Sequence, residues 1–419
     1  RVKCCLNCVA KFLSPPARRS SEPECLLATP SVQTASPTLL TASPHLVMVT
    51  ANPHLVMVSV NTHLAMVSVN PHLVMALLQD RTDQSVLIPK GEVLEVLVDS
   101  FDSVLLDLDG VVYKGAIAIP NAVDSITKFQ DSGKILGYLT NNSSRRPDTI
   151  AEQLVGLGIK VVPSQIIGSA MSGASLLASK IPAGSKVLVV GGEGLRHEVS
   201  LEGFEVVDHA STQPAAVIQG FSPDVSWREL AQASFAIQGG AIWIATNQDW
   251  TIPVEQGIAP GNGTLVGAVH TAVGILPEVA GKPHRPIFDY AIQKLKVKKP
   301  LMVGDRLDTD IRGANAAGIE SAVVLTGIAN RKELVAAKPE DRPSYILDDL
   351  SGLFENYVEP ETTKRGSKCG KSVVELLGDS VVLVSGNPKS LETLKAACHL
   401  IWGSGRPIYG LQVEPSIYS

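Results

Sequence analysis

The segment Ser103-Val104-Leu105-Leu106-Asp107-Leu108-Asp109-Gly110 runs an apolar stretch into two carboxylates and a glycine. An apolar run of that length, without polar alternation, predicts a strand covered on both faces, as in a parallel sheet. The pattern recurs. Ile135–Thr140 predicts a second strand, continuing into Asn141-Asn142-Ser143, and residues 301–303 a third, ending Gly304-Asp305-Arg306-Leu307-Asp308-Thr309-Asp310. Residues 321–325 and 343–347 predict two more. Between them lie helices with end signals: Ala122–Asp131 with Asn121 as N-cap and Gly133 past its end, a helix opened by Pro147 and closed by Gly156 or Gly158, residues 165–180 capped by Ser164, Pro286–Leu295, and 311–317 ended by Gly318. Strand and helix in alternation imply right-handed crossovers and one parallel sheet.

Residues 184–275 repeat the alternation as a unit of their own. Lys186–Val190, 215–219 and 241–246 read as strands, and Ser226 caps a helix over 227–237 that Gly239-Gly240 ends. Gly191, Gly192 and Gly194, after the first of these strands, read as an ordinary turn, since a few glycines after a strand are a weak phosphate-loop signal. The expected fold class is therefore α/β: a doubly wound parallel-sheet (Rossmannoid) core of 96–183 and 276–352 with 184–275 inserted. Residues 353–371 read as a linker. Residues 372–419 read as a small C-terminal αβ module with its own core: apolar runs at 372–377 and 380–384, a helix over 389–401 and a strand over 407–413.

Residues 1–95 break the pattern. A nine-residue repeat carries His45, His54, His63 and His72, each followed by Leu and, two residues later, Met. Four evenly spaced histidines suggest a metal array, but nine residues fit neither helical nor strand spacing with prolines in the repeat. Solenoids of this period need Gly and Asp turns that are missing. The repeat is expected to lie outside the folded unit, with Met75 as the expected start. Cys5 and Cys8 have CxxC spacing without a second pair at zinc-site distance.

Composition narrows the function. A net charge of −5 over 419 residues gives no basic field for nucleic acid, and no apolar run is long enough to span a bilayer. Of six cysteines only Cys369 and Cys398 lie beyond the N-terminal stretch, so the body has no disulfide framework, which points to the cytoplasm. A homo-oligomer is left open.

The polar strand ends carry the chemistry. In a parallel sheet such ends open on one edge, so Asp107 and Asp109, Thr140 and Asn141, Lys282 ahead of a helix, and Asp305 with Asp310 are expected to share one crevice. Three carboxylates near one point call for a hard cation, and oxygen ligands suit Mg2+. A lysine and a threonine beside them can hold phosphate oxygens. One carboxylate can attack phosphorus, and another can move the proton.

Asp107-Leu108-Asp109-Gly110-Val111-Val112-Tyr113, Leu139-Thr140-Asn141-Asn142-Ser143, Gly281-Lys282-Pro283 and Gly304-Asp305 through Asp310-Ile311 resemble the four motifs of the haloacid dehalogenase-like phosphatase superfamily, class IIA. Ile244-Ala245-Thr246-Asn247 and Pro260-Gly261-Asn262-Gly263 look like cap sequences of the same branch. The resemblance spans roughly 100–350 and implies a Mg2+-dependent phosphatase acting on a small-molecule phosphate ester through an aspartyl phosphate. It implies Asp107 as nucleophile and Asp109 as acid/base. Asp107, the Asp109 carbonyl and Asp305 would hold Mg2+, with Asp310 supporting from behind them. Thr140, Asn141 and Lys282 would bind the phosphoryl group, and 184–275 would be the cap. Arg196, Asp249 and His270 are the cap residues considered for substrate choice, and Asp308 reads as a solvated or capping acid. The tail resembles the half-acetyltransferase-like extension of some glycerol-3-phosphate phosphatases, without a pyrophosphate loop to support acetyl transfer. Two other readings compete: a catalytically silent, phospho-ligand-binding relative, and a receiver-like signalling domain, which would lack the Asp-x-Asp pair and the insert.

Overall fold

The computed structural model describes residues 96–254 and 256–419, together with the backbone of Val56–Val60 and His63–Val67. The latter two segments pair antiparallel, Val60 opposite His63. The repeat was expected to lie outside the folded unit, and strand pairing within it was not foreseen; Val-rich segments favour extended backbone. The Cys5–Cys8 pair and Met75 lie outside the described residues.

The core is a six-stranded parallel sheet in the order Tyr345–Leu347, Glu320–Val324, Pro300–Gly304, Ser103–Asp107, Ile135–Thr140, Ile166–Gly168. Ser103–Asp107 sits at its centre and is buried along its whole length. Val104 and Leu106 enter one apolar cluster, against Ala122–Asp131 and Pro147–Gly156. Leu105 points to the other face, with Ile287 and Phe288 of Pro286–Leu295. Both faces are covered, so period-two alternation is absent from the sequence although present in the structure. Each of these side chains contributes about 1.5–3 kcal/mol by leaving water.

Several element ends differ from expectation. Asn121 adopts φ 64°, and its side-chain amide donates to Asp349 instead of capping; Asn tolerates this left-handed conformation better than most residues. The expected helix over 165–180 is a 3₁₀ turn, the edge strand Ile166–Gly168 and a helix over Ser169–Ala178. The helix expected from 311 is preceded by a π-helical turn, Leu307–Ile311, which carries Asp308 and Asp310.

The inserted unit has its own parallel sheet, ordered Glu278–Val279, Ile242–Ala245, Ala216–Gln219, Lys186–Val190, Glu205–Val207. Strand Glu278–Val279 lies past the expected boundary at 275. Ser169–Ala178, before the boundary at 184, packs Ala170, Ala174 and Leu177 into the insert's core. A hairpin of Thr251–Val254 and Gly257–Pro260 and the helix Asn262–Val273 complete it.

The C-terminal module begins earlier than expected. Glu361–Thr362 and Gly366–Cys369, inside the expected linker, pair into a five-stranded sheet with Ser372–Leu377, Ser380–Ser385 and Gln412–Val413. Of the strand expected over 407–413 only Gln412–Val413 pairs as a strand, after a 3₁₀ turn at Ile408–Gly410. Helix Leu391–Gly403 packs on this sheet, and Leu394, Ala397 and Ile401 share one apolar cluster with Ile311, Val323 and Leu334 of the six-stranded core. The module does not have a core of its own. No helix among the described residues is long and apolar enough to cross a membrane.

Candidate active site

The strand ends converge as the parallel topology requires. Carboxylate oxygens of Asp107, Asp305 and Asp310 lie within 4.8 Å of one another. Lys282, 4% exposed, sets its ammonium between them: it bonds the Asp107 carboxylate and lies 2.7 Å from Asp310 Oδ1. Burial pushes the Asp107 carboxyl well above the ordinary aspartate value; Lys282 pulls it down, and Asp310 and Asp305 add to the rise. Asp305 is raised to about 6, by burial first and then by Asp310. Lys282 is raised; its two carboxylates outweigh the burial that opposes its charge. Three carboxylates and one ammonium carry a formal charge of −2.

Asp310 thus stands among the carboxylates themselves, not behind them. Its Oδ2 accepts the Arg306 N–H at 3.1 Å, as the π-helical turn directs. Asp109 does not join the three carboxylates. It is exposed at the crevice mouth, yet the surrounding protein pushes its carboxyl above the ordinary value, against Lys282 and Arg145. Asp308 is exposed and caps nothing among the described residues; it forms a two-pronged pair with Arg306 at 2.9 and 3.1 Å.

Asp305 is enclosed by backbone. The Ile328 N–H donates to its Oδ2 at 2.8 Å, and the Ala329 N–H to its carbonyl at 2.8 Å. A Cβ at Gly327 would fall 1.9 Å from Asp305 Oδ2, and one at Gly110, whose φ is +82°, 2.3 Å from it. Only glycine allows the two loops to close on this carboxylate.

Thr140 is buried, and its Oγ1 accepts the Asn142 N–H at 3.1 Å, which leaves the hydroxyl proton to donate. Asn141 is tied to the Lys282 backbone and to the insert. Its Oδ1 accepts the Lys282 N–H at 2.8 Å, and its Nδ2 donates to the Lys282 carbonyl at 3.0 Å and to Asp249 at 3.1 Å. The side chain fastens the Lys282 main chain and ties it to Asp249 of the insert.

The insert joins the core by a polar seam at the ends of its strands. Thr246 donates to Ser143 at 3.0 Å, and Asn247 to the Asn141 carbonyl at 2.8 Å. Gly194 lets the chain pass Arg145, since a Cβ there would lie 2.8 Å from backbone; this turn serves packing. Of the three insert residues considered, only Asp249 reaches the site. Arg196 pairs with Asp208 at 2.8 Å, and His270 meets the Ile275 carbonyl at 2.8 Å at its helix end.

A model of haloacid dehalogenase-like hydrolases matches residues 104–205, and a second, HAD-hydrolase-like, matches 279–353. A D-glycerol 3-phosphate phosphatase of Mycobacterium tuberculosis is 42% identical over 263 residues, which are 63% of this chain and 74% of the relative. The chain belongs to the haloacid dehalogenase-like hydrolase family. Within it, an acid sugar phosphatase of Staphylococcus saprophyticus is 32% identical over 61% of this chain and 98% of its own length. A crystal structure of glycerol phosphate phosphatase from Mycobacterium tuberculosis in complex with magnesium aligns with a TM-score of 0.70 at 36% identity, covering 77% of this chain and 96% of that one. The neighbours are class IIA phosphatases, and the inserted unit is the cap of that branch.

The donor set fits a divalent ion of this family. Its oxygens are hard ligands, the net charge of the cluster matches a dication, and Asp305 is held in one orientation. Sequence reading missed the loop Thr326-Gly327-Ile328, whose Thr326 Oγ1 also donates to the Gly110 carbonyl at 2.5 Å. The signal was present: it follows the strand Glu320–Val324 at the same sheet edge as the other polar ends.

Proposed function

We propose that this chain is a Mg2+-dependent phosphomonoesterase acting on a small-metabolite ester, glycerol 3-phosphate or a sugar phosphate, through an aspartyl phosphate on Asp107. The observation that carries the reading is the buried Lys282 ammonium set between Asp107 and Asp310 in a carboxylate cluster at the sheet edge. The relatives' names support the two substrate classes. A cytoplasmic setting fits the two buried, free thiols Cys369 and Cys398. A silent or receiver-like reading is not favoured, because the Asp-x-Asp pair, the cap and the late acidic motif are all present.

Asp107 attacks phosphorus, and the bond to its carboxylate oxygen forms as the ester P–O bond breaks. Lys282 and Thr140 draw the phosphoryl oxygens into line, mainly a positioning and charge-matching task. Asp109, whose raised carboxyl retains a proton more readily than an ordinary aspartate, gives it to the leaving alkoxide. It then takes a proton from the water that attacks the phosphoaspartate, releasing phosphate and the Asp107 carboxylate. Asp107, Asp305 and the Asp109 carbonyl would hold Mg2+, with Asp310 beside them, and the ion supplies positive charge against the phosphate oxygens. The cap limits bulk water at the crevice.

The test is phosphate release by the purified chain from glycerol 3-phosphate, sugar phosphates and p-nitrophenyl phosphate, with Mg2+ and with EDTA. Turnover is expected with Mg2+ alone and absent in Asp107→Asn. Turnover on none of the panel, or full activity in Asp107→Asn, refutes the proposal.

A further inference from the structure

The loop that encloses Asp305 runs directly into the surface that carries the C-terminal module. Ile328 and Ala329 donate to Asp305; Asn330 then caps the short helix Arg331–Val335, accepting the Glu333 N–H at 3.0 Å. Arg331 lies one residue beyond that cap and turns away from the site. Its guanidinium donates to four main-chain carbonyls of the C-terminal module: Pro388 at 2.8 Å, Ser390 and Ile417 each at 3.1 Å, and Lys389 at 3.3 Å. No carboxylate lies within ion-pair distance of it among the described residues. The same helix is held a second time, where Trp402 Nε1 donates to the Leu334 carbonyl at 3.1 Å.

A half-buried arginine spent on carbonyls instead of an acid ties two backbones together through a rigid, planar fork. Here the ends of the fork lie on two chain segments of the module, 388–390 and 417. At the other end of the linkage is Asp305, whose carboxylate accepts the Ile328 N–H and whose main-chain carbonyl accepts the Ala329 N–H. Groups that orient a ligand carboxylate commonly change metal affinity by about 10- to 100-fold when removed. We infer that the C-terminal module is a positioning element for the metal site: through Arg331 it holds the Thr326–Ala329 loop against Asp305 and so sets divalent-cation affinity. The inference rests on Asp305 being a ligand.

The test uses the full chain and Mn2+ as probe, with the dissociation constant read by calorimetry and the free ion by electron paramagnetic resonance. Arg331→Lys keeps the charge and loses the fork; Trp402→Phe keeps an aromatic ring, a smaller one, and loses the bond to Leu334. Arg406→Ala is the control. That residue ties Gly378 and Asp379 within the module, far along the chain from the loop. The expected result is Mn2+ affinity weakened about tenfold in Arg331→Lys and in the same direction in Trp402→Phe, with Arg406→Ala unchanged. The Mg2+ concentration for half-maximal activity should rise in parallel, while kcat at saturating Mg2+ and the substrate KM stay near wild type.

Unchanged Mn2+ affinity in folded Arg331→Lys overturns the inference, and so does an equal loss in all three variants, which would mark general loosening. If Arg331→Lys fails to fold, Trp402→Phe decides by the same criterion. Mn2+ binding that survives intact in Asp305→Asn would instead strike the underlying metal assignment, which separates the two failures.

Discussion

Replacing Lys282 by Met keeps an unbranched four-atom stem and deletes the ammonium that Asp107 and Asp310 share. Removing one partner of a buried ion pair costs about 3–5 kcal/mol, because the other charge is left without compensation. Two carboxylates lose their partner here, but Asp107 is already pushed toward the protonated form by burial and can take up a proton. The lower end, about 3 kcal/mol, is therefore expected in EDTA. At about 1–1.5 °C per kcal/mol for a chain of this size, the melting temperature should fall by about 3–5 °C. Mg2+ should restore more of the melting temperature in the variant than it adds to the wild type, since a dication compensates the same oxygens. In turnover, losing a preorganised positive group beside the phosphoryl oxygens is expected to lower kcat/KM by about 10²–10³. The acidic limb of the pH profile should also move to higher pH, because Lys282 is the main influence holding Asp107 down. An unchanged melting temperature in EDTA, together with kcat/KM within about threefold of wild type, would refute the reasoning.

The pH dependence of stability follows from Asp305. Its folded-state value of about 6 lies above the unfolded one, so between these values the folded protein binds more protons, and stability falls as pH rises through the interval. Melting in EDTA should therefore occur at higher temperature at pH 5 than at pH 7, and saturating Mg2+ should reverse that order; a metal-free chain more stable at pH 7 would contradict it. Gly327→Ala must displace Asp305 Oδ2, at an expected cost of about 1–3 kcal/mol and more than tenfold in Mn2+ affinity by calorimetry. Gly267→Ala, whose Cβ meets only the Trp250 ring at 3.7 Å in a helix interior, should raise stability by about 0.5–1 kcal/mol and leave Mn2+ binding alone. Asn141→Ala frees the Lys282 main chain and should lower kcat/KM by about 10- to 100-fold in steady-state assays with stability little changed, because small misplacements of a phosphate-holding group are costly.

The sequence by itself determined the parallel core and the place of the chemistry. Runs such as Val104–Leu106, apolar on both faces, can be stable only in the middle of a covered sheet, and polar residues at the ends of such runs must then share one edge. That logic brought Asp107, Thr140 and Asp305 together across 198 positions of chain without any knowledge of contacts. Tertiary structure decided which way each side chain points. The Lys282 backbone claims the Asn141 amide, and a π-helical turn swings Asp310 in beside the ammonium; neither placement is visible in its motif. The roles of Gly327 and Arg331 depend on close approach between segments remote in sequence, which leaves no periodic trace. The boundaries at 184, 275 and 372 failed for a related reason. Ser169–Ala178, Glu278–Val279 and Gly366–Cys369 are short or weakly patterned segments, and each joined the sheet or cluster able to bury it.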